Sequence, residues 1–114
     1  MKRDYKLFIK DILESIERID EFVEDINFDK FVQDDKTSSA VVRKIEIIGE
    51  ATKNIPKHIR QRYKDVPWSD MAKMRDKITH FYFGIDYEVV WKVIKERLPE
   101  IKPIIHKILD EMEE

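Results

Sequence analysis

Three side chains in the second half of the chain carry groups that could cleave a phosphodiester: Arg75, His80 and Tyr82. Arginine offers a permanent charge on a planar fork that fits a phosphate. Histidine, with an ordinary pKa of about 6.5, can take or give a proton near neutrality, and tyrosine adds a hydroxyl. Metal-free RNA cleavage needs a base for the 2′-hydroxyl, an acid for the leaving 5′-oxygen and a fixed cation for the transition state. The triplet alone nevertheless favours a structural role, in which His80 and Tyr82 pack at a helix end.

A single regular helix would not direct these three groups at one substrate. At about 100° per residue, Arg75 and Tyr82 lie about 20° apart, whereas His80 lies about 140° from Arg75. The sequence therefore predicts one of two arrangements. Either the helix unwinds near residue 80, or a second copy of the chain completes the site across a two-fold axis.

Besides these three residues, the sequence singles out few candidates for binding a metal ion or a phosphate. The chain has no cysteine, and no two of its three histidines have the i,i+4 spacing of a helical metal site, so we expect neither a metal nor a cofactor. Four residues are candidate RNA or phosphate contacts, because they adjoin the triplet or belong to a basic stretch: His58, Lys73, Asp76 and Lys77.

Charge is unevenly distributed along the chain. The formal net charge is −2, which argues against a general nucleic-acid binder. Residues 53–80, however, hold eight basic and three acidic side chains, a balance of +5. Such a block could attract a polyanion locally, although charge alone favours an ordinary solvated helix face.

The hydrophobic pattern is typical of helices throughout. Of the 114 residues, 42% are hydrophobic and 40% charged, with two glycines and four prolines. We find no alternation typical of strands, and predict one all-α domain over residues 1–114, an antiparallel bundle of four to five helices. The predicted long helices are residues 4–26, 38–54, 67–82, 86–98 and 99–112, and residues 58–63 can form a further short helix.

Individual residues set the expected ends of these helices. Asp4 and Asp86 are expected N-caps, and the hydroxyls of residues 37–39 are expected to cap the second helix. Gly49, inside that helix, suggests close approach of another helix. Gly84 suits a left-handed position just past a helix end. Pro99 should end or kink the helix before it.

The first residues and the length of the apolar runs predict where in the cell the protein is located. Residues 2–4 are charged and lead straight into an amphipathic pattern, which is not typical of a secretory signal. Apolar runs are only a few residues long, so we expect no membrane contact and a cytoplasmic protein.

A series of short motifs, in order along nearly the whole chain, resembles the HepT-like proteins. The ordered set is more specific than any one piece. Its pieces are Arg3-Asp4-Tyr5, residues 11–17, Ile48-Gly49-Glu50-Ala51, residues 53–56, Val66-Pro67-Trp68, Met74-Arg75-Asp76, His80-Phe81-Tyr82, Ile85-Asp86 and Val90-Trp91.

The resemblance implies a function as well as a fold. HepT-like proteins are all-α HEPN domains that form homodimers and act as metal-independent RNA endonucleases, the toxins of two-component toxin–antitoxin systems. Their motif of Arg, four residues, His, one residue and Tyr corresponds here to Arg75, His80 and Tyr82. The antitoxin is a minimal nucleotidyltransferase, which can join the toxin in a larger hetero-oligomer and add AMP to the motif tyrosine, here Tyr82. Many relatives have Asn where this chain has Asp76, which puts the vigour of cleavage in question.

A second interpretation is a non-catalytic helical subunit that binds a nucleotide or a nucleotidyltransferase without cutting RNA. The modest overall charge and Asp76 motivate it. Growth arrest on expression, relieved by the partner, would distinguish the toxin from this subunit.

Overall fold

A computed structural model describes residues 4–80 and 84–113, with only the backbone described at residues 79 and 80. Within these residues the fold is all-α, as predicted, apart from one pair of two-residue strands. The helices are α1 (Tyr5–Phe22), α2 (Phe28–Gln33), α3 (Asp35–Lys53), α4 (Lys57–Arg62), α5 (Trp68–Ala72), α6 (Met74–Ile78), α7 (Tyr87–Lys92) and α8 (Leu98–Met112), and the strands are β1 (Thr79–His80) and β2 (Gly84–Ile85).

The two long helices α1 and α3 pack along each other and form the centre of the molecule. Both bury an apolar stripe, which includes Ile9 and Ile16 on α1 and Ile45 and Ile48 on α3, all fully buried. Helix α8 covers another side of α1, while α5 and α6 pack on α3. The helix that ends next to the predicted site, α6, therefore packs directly on one of the two central helices. No helix among the described residues is long and apolar enough to cross a membrane.

The first two predicted helices exist, with different ends. Asp4 caps α1 as predicted, because its carboxylate accepts a hydrogen bond from the Lys6 amide at 2.9 Å. The helix ends at Phe22 rather than residue 26, and Asp25 adopts a left-handed backbone with φ of 63°. The predicted hydroxyl cap of α3 is wrong. Asp34 caps this helix instead, accepting bonds from both the amide (3.1 Å) and the hydroxyl (2.8 Å) of Thr37, which lower the pKa of that carboxyl.

The predicted single helix over 67–82 is also wrong. The chain forms α5, breaks at Lys73 and resumes as α6, which ends at Ile78. The Lys73 amide donates to the carbonyls of Ser69 and Asp70, both at 3.2 Å, and this shared bond closes α5. Beyond Ile78 the backbone becomes β1. Gly84 has the predicted left-handed backbone, with φ of 79°, but it lies in β2 rather than just past a helix end.

Pro99 does not end its helix. Asp86 caps α7 as predicted, through its carboxylate and the Val89 amide at 3.2 Å. Helix α7 then continues through a π-helical turn, Val93–Arg97, directly into α8. Because the Pro99 nitrogen carries no hydrogen, it cannot make the i→i−4 bond of a regular helix. The π turn lies just before it, and there the Leu98 amide donates to the carbonyl of Val93.

Gly49 marks the predicted close approach, here between α3 and α5. A Cβ at this position would lie 3.5 Å from the carbonyl oxygens of Met71 and Ala72. Since that is ordinary van der Waals contact, we expect Gly49→Ala to stabilise the protein by about 0.5–1 kcal/mol, through the higher helix propensity of alanine. Urea unfolding measures the change. Gly49→Leu serves as the contrast, because its larger side chain meets backbone and should destabilise. A destabilised alanine variant would contradict the prediction.

Candidate functional site

The predicted site lies where α6 ends and the chain continues as a strand. Ile78 is fully buried, and its carbonyl accepts a hydrogen bond of 2.7 Å from the Asp86 amide. Between these two residues, β1 and β2 pair antiparallel, with Thr79 opposite Ile85 and His80 opposite Gly84. The helix therefore unwinds just before residue 80. This confirms the first of the two predicted arrangements for the backbone.

Arg75 is an exposed side chain on the surface of α6. Its side chain is 65% exposed, and Nε lies 3.3 Å from Oε2 of Glu46 on α3. An exposed pair of this kind contributes at most about 1 kcal/mol to stability, so its main effect here is to orient the guanidinium. Sequence reasoning missed Glu46, since it is distant in the chain and no motif spacing connects it to Arg75.

The other two motif residues are described less fully. For His80 the structure gives the backbone and its pairing with Gly84. Tyr82 lies outside the described residues. The convergence of Arg75, His80 and Tyr82 on one phosphate therefore stays a prediction.

Three of the four predicted contact residues lie around α6. Lys73 is exposed at the junction between α5 and α6, and Asp76 is exposed on α6 itself. Lys77 forms an ion pair with Asp70 of α5, at 3.6 Å between Nζ and Oδ1. A carboxylate of another helix, that of Glu46 on α3, contacts Arg75. Of these candidates, Lys73 also lines a groove between α4 and α5.

The remaining histidines lie on other helices. His58, the fourth candidate, is exposed on α4 and meets the ring of Tyr5 edge-on, with centroids 6.0 Å apart. His106 is on α8, with Nδ1 3.8 Å from Oδ2 of Asp110. Within residues 4–80 and 84–113, no three histidine or carboxylate side chains are grouped so that they could hold a metal ion.

Comparison with known proteins identifies the family. The family model "Ribonuclease HepT-like" matches residues 12–108, which includes the whole of the motif segment. The chain belongs to the HepT-like ribonuclease family. It is 48% identical over 108 residues to the "Probable ribonuclease HepT" of Thermococcus cleftensis, covering 95% of this chain and 98% of that protein. It is 43% identical over 112 residues to a Methanocaldococcus jannaschii protein whose name provisionally assigns it to the RNases. That match covers 98% of this chain and 93% of that protein. No solved structure matches.

Membership of the HepT-like family confirms the resemblance seen in the sequence, and the all-α fold agrees with it. In this HepT-like chain, the arginine of the motif is carried by a short helix and the histidine by a strand. The helix is anchored on the core through Ile78, and the strand is paired with β2. Arg75 and His80 therefore lie on either side of the boundary between a helix and a strand, and separate contacts hold each of the two elements.

Proposed function

We propose that this chain is a toxin that cleaves single-stranded RNA without a metal, using Arg75, His80 and Tyr82. The observation that carries the proposal is the end of α6 at Ile78, within a chain of the HepT-like ribonuclease family. Arg75 is exposed on the helix, and His80 follows on extended backbone. The two are therefore not bound to the separation of about 140° that a regular helix would impose.

In the proposed reaction a base takes the proton of the 2′-hydroxyl, and that oxygen attacks the adjacent phosphorus. The bond from phosphorus to the 5′-oxygen breaks, and an acid protonates the leaving oxygen. The products are a 2′,3′-cyclic phosphate and a 5′-hydroxyl. Arg75 stabilises the charge on the phosphorane-like transition state, His80 acts as base or acid, and Tyr82 orients the phosphate.

One imidazole cannot be base and acid in the same step. A homodimer with the two motifs facing one cleft would supply the second histidine. We therefore include the homodimer in the proposal, together with a cytoplasmic location, where RNA and a partner enzyme are available.

A minimal nucleotidyltransferase antitoxin is the proposed regulator. The Tyr82 hydroxyl would attack the α-phosphorus of ATP, forming a phosphodiester to AMP and releasing pyrophosphate. The added phosphate brings negative charge and bulk near Arg75, where the RNA phosphate would bind, so cleavage stops. Mass spectrometry after co-expression tests this: a gain of AMP units is expected, and Tyr82→Phe should abolish it. A gain that persists in Tyr82→Phe would exclude Tyr82 as the acceptor.

Cleavage itself is tested with the purified protein and single-stranded RNA in EDTA. We expect products that end in a 2′,3′-cyclic phosphate. An oligonucleotide with 2′-deoxy residues is the matched control, because it lacks the nucleophile and should stay intact. No cleavage at any protein concentration, together with a stable complex with the nucleotidyltransferase, would overturn the proposal in favour of the non-catalytic subunit.

A further inference from the structure

A groove between α4 and α5 lies close to α6, the helix that carries Arg75. Its volume is about 680 Å³. One wall comes from α4 and the residues after it, the other from α5 and the start of the α5–α6 junction. It is lined by Lys57, Arg60, Gln61, Lys64, Val66, Pro67, Trp68, Ser69, Asp70, Ala72 and Lys73.

The charge of this groove is opposite to that of the whole chain. Four cations line it, Lys57, Arg60, Lys64 and Lys73, against the single carboxylate of Asp70, a balance of +3. The formal net charge of the chain is −2. The four cations are exposed, and no ion pair is recorded for them among the described residues. Asp70, in contrast, is engaged by Lys77 at 3.6 Å.

The floor of the groove is fixed by burial and hydrogen bonds within the protein itself. Val66 and Trp68 are buried there. The indole Nε1 of Trp68 donates to the carbonyl of Tyr63 at 2.9 Å, and the Trp68 amide donates to the carbonyl of Val66, also at 2.9 Å. These bonds fix the connection between α4 and α5, so the cations are carried on walls of defined position.

The groove reaches the start of α6 at Lys73. This residue lines the groove, and its carbonyl accepts the amides of Asp76 and Lys77 in the first turn of α6. Arg75 lies two residues further along the same turn. A polyanion held at the Lys73 end of the groove would therefore lie close to the start of the helix that carries Arg75.

We propose that the groove between α4 and α5 binds the phosphate backbone of single-stranded RNA and leads the strand to Arg75. The inference rests on the proposed ribonuclease function. The contacts would be electrostatic and independent of sequence, because the one aromatic ring lining the groove, that of Trp68, is buried and cannot stack on a base. RNA is favoured over an acidic protein because four exposed cations line the groove, and its one carboxylate, Asp70, is already engaged by Lys77.

The test measures binding of a 2′-O-methyl RNA oligonucleotide, which cannot be cleaved, by fluorescence anisotropy at several salt concentrations. The groove variant is Lys57→Gln/Arg60→Gln/Lys64→Gln. The matched control is Lys92→Gln/Lys95→Gln/Arg97→Gln, which also removes two lysines and one arginine, all exposed, from residues outside the groove. Circular dichroism melts establish that both variants remain folded.

Each phosphate contact to a single strand contributes about 0.7 to the slope of log K against log salt. The groove variant should therefore lower the magnitude of the slope by about 2 and weaken binding at low salt. The control should change the slope much less, and the affinity should not depend on the base sequence in either protein.

The proposal would be overturned if both variants lost the same RNA affinity. It would also be overturned if the groove variant kept the wild-type slope of log K against log salt. A groove variant that still binds RNA but no longer binds the nucleotidyltransferase would overturn it too, since the groove would then be a protein-binding surface. These outcomes are separate from failure of the proposed function. A wild-type protein that binds RNA through the groove without cutting it would refute only the ribonuclease assignment.

Discussion

Replacement of His80 by alanine is expected to slow RNA cleavage by about two to four orders of magnitude, the usual contribution of a positioned general acid or base. The fold should survive, because strand β1 is held by main-chain pairing between His80 and Gly84, which alanine retains. Single-turnover cleavage in EDTA, beside a thermal melt of the same sample, measures both quantities. The melting temperature should stay close to that of the wild type while the rate falls.

His106→Ala is the matched control for this substitution. His106 is exposed on α8, next to Asp110, and has no part in the proposed site. Its removal should leave the cleavage rate unchanged. If His80→Ala cleaves RNA at the wild-type rate, the proposed mechanism is wrong, whatever the family of the chain.

Replacement of Phe31 by alanine is expected to destabilise the protein by about 3–5 kcal/mol, the range for loss of a buried phenylalanine. Phe31 is fully buried, and its ring lies 5.2 Å from that of Trp91 and 6.2 Å from that of Tyr87, between centroids. Helix α2 has only six residues, too few to be stable alone. The ring of Phe28 also meets Trp91, at 6.0 Å between centroids, but Phe31 is the fully buried contact of α2 with α7.

Val32→Ala is the control for Phe31, because the neighbouring side chain is 36% exposed. We expect it to change the free energy of unfolding by no more than about 0.5 kcal/mol. Urea unfolding of the two variants gives the comparison. A loss below about 1 kcal/mol in Phe31→Ala would show that α2 is held by other contacts.

The long helices could be predicted from the sequence because their apolar periodicity is local information. The caps at Asp4 and Asp86 follow from residue type in the same way. The break at Lys73 could not, since residues 67–82 carry a pattern compatible with one helix, and unwinding near residue 80 could be predicted only as one of two alternatives. What ends α6 is pairing with residues 84–86, a contact that no local pattern encodes.

The same distinction applies to the site. The chemical character of Arg75 is evident from its type, but its partner Glu46 belongs to another helix, and only the packing of α3 on α6 brings the two together. The basic block was visible as a count of charges. Its division into cations that line one groove and a lysine, Lys77, that neutralises Asp70 depends on the fold.

Two of the hydrogen bonds of Asp86 serve different parts of the molecule. Its amide closes the hairpin onto Ile78, and its carboxylate starts α7. One residue thus joins the segment that carries the motif to the helix behind it. A shift of the strand register by one residue would move Asp86 and disturb the first turn of α7, so a displacement of the strands would be transmitted into the body of the bundle.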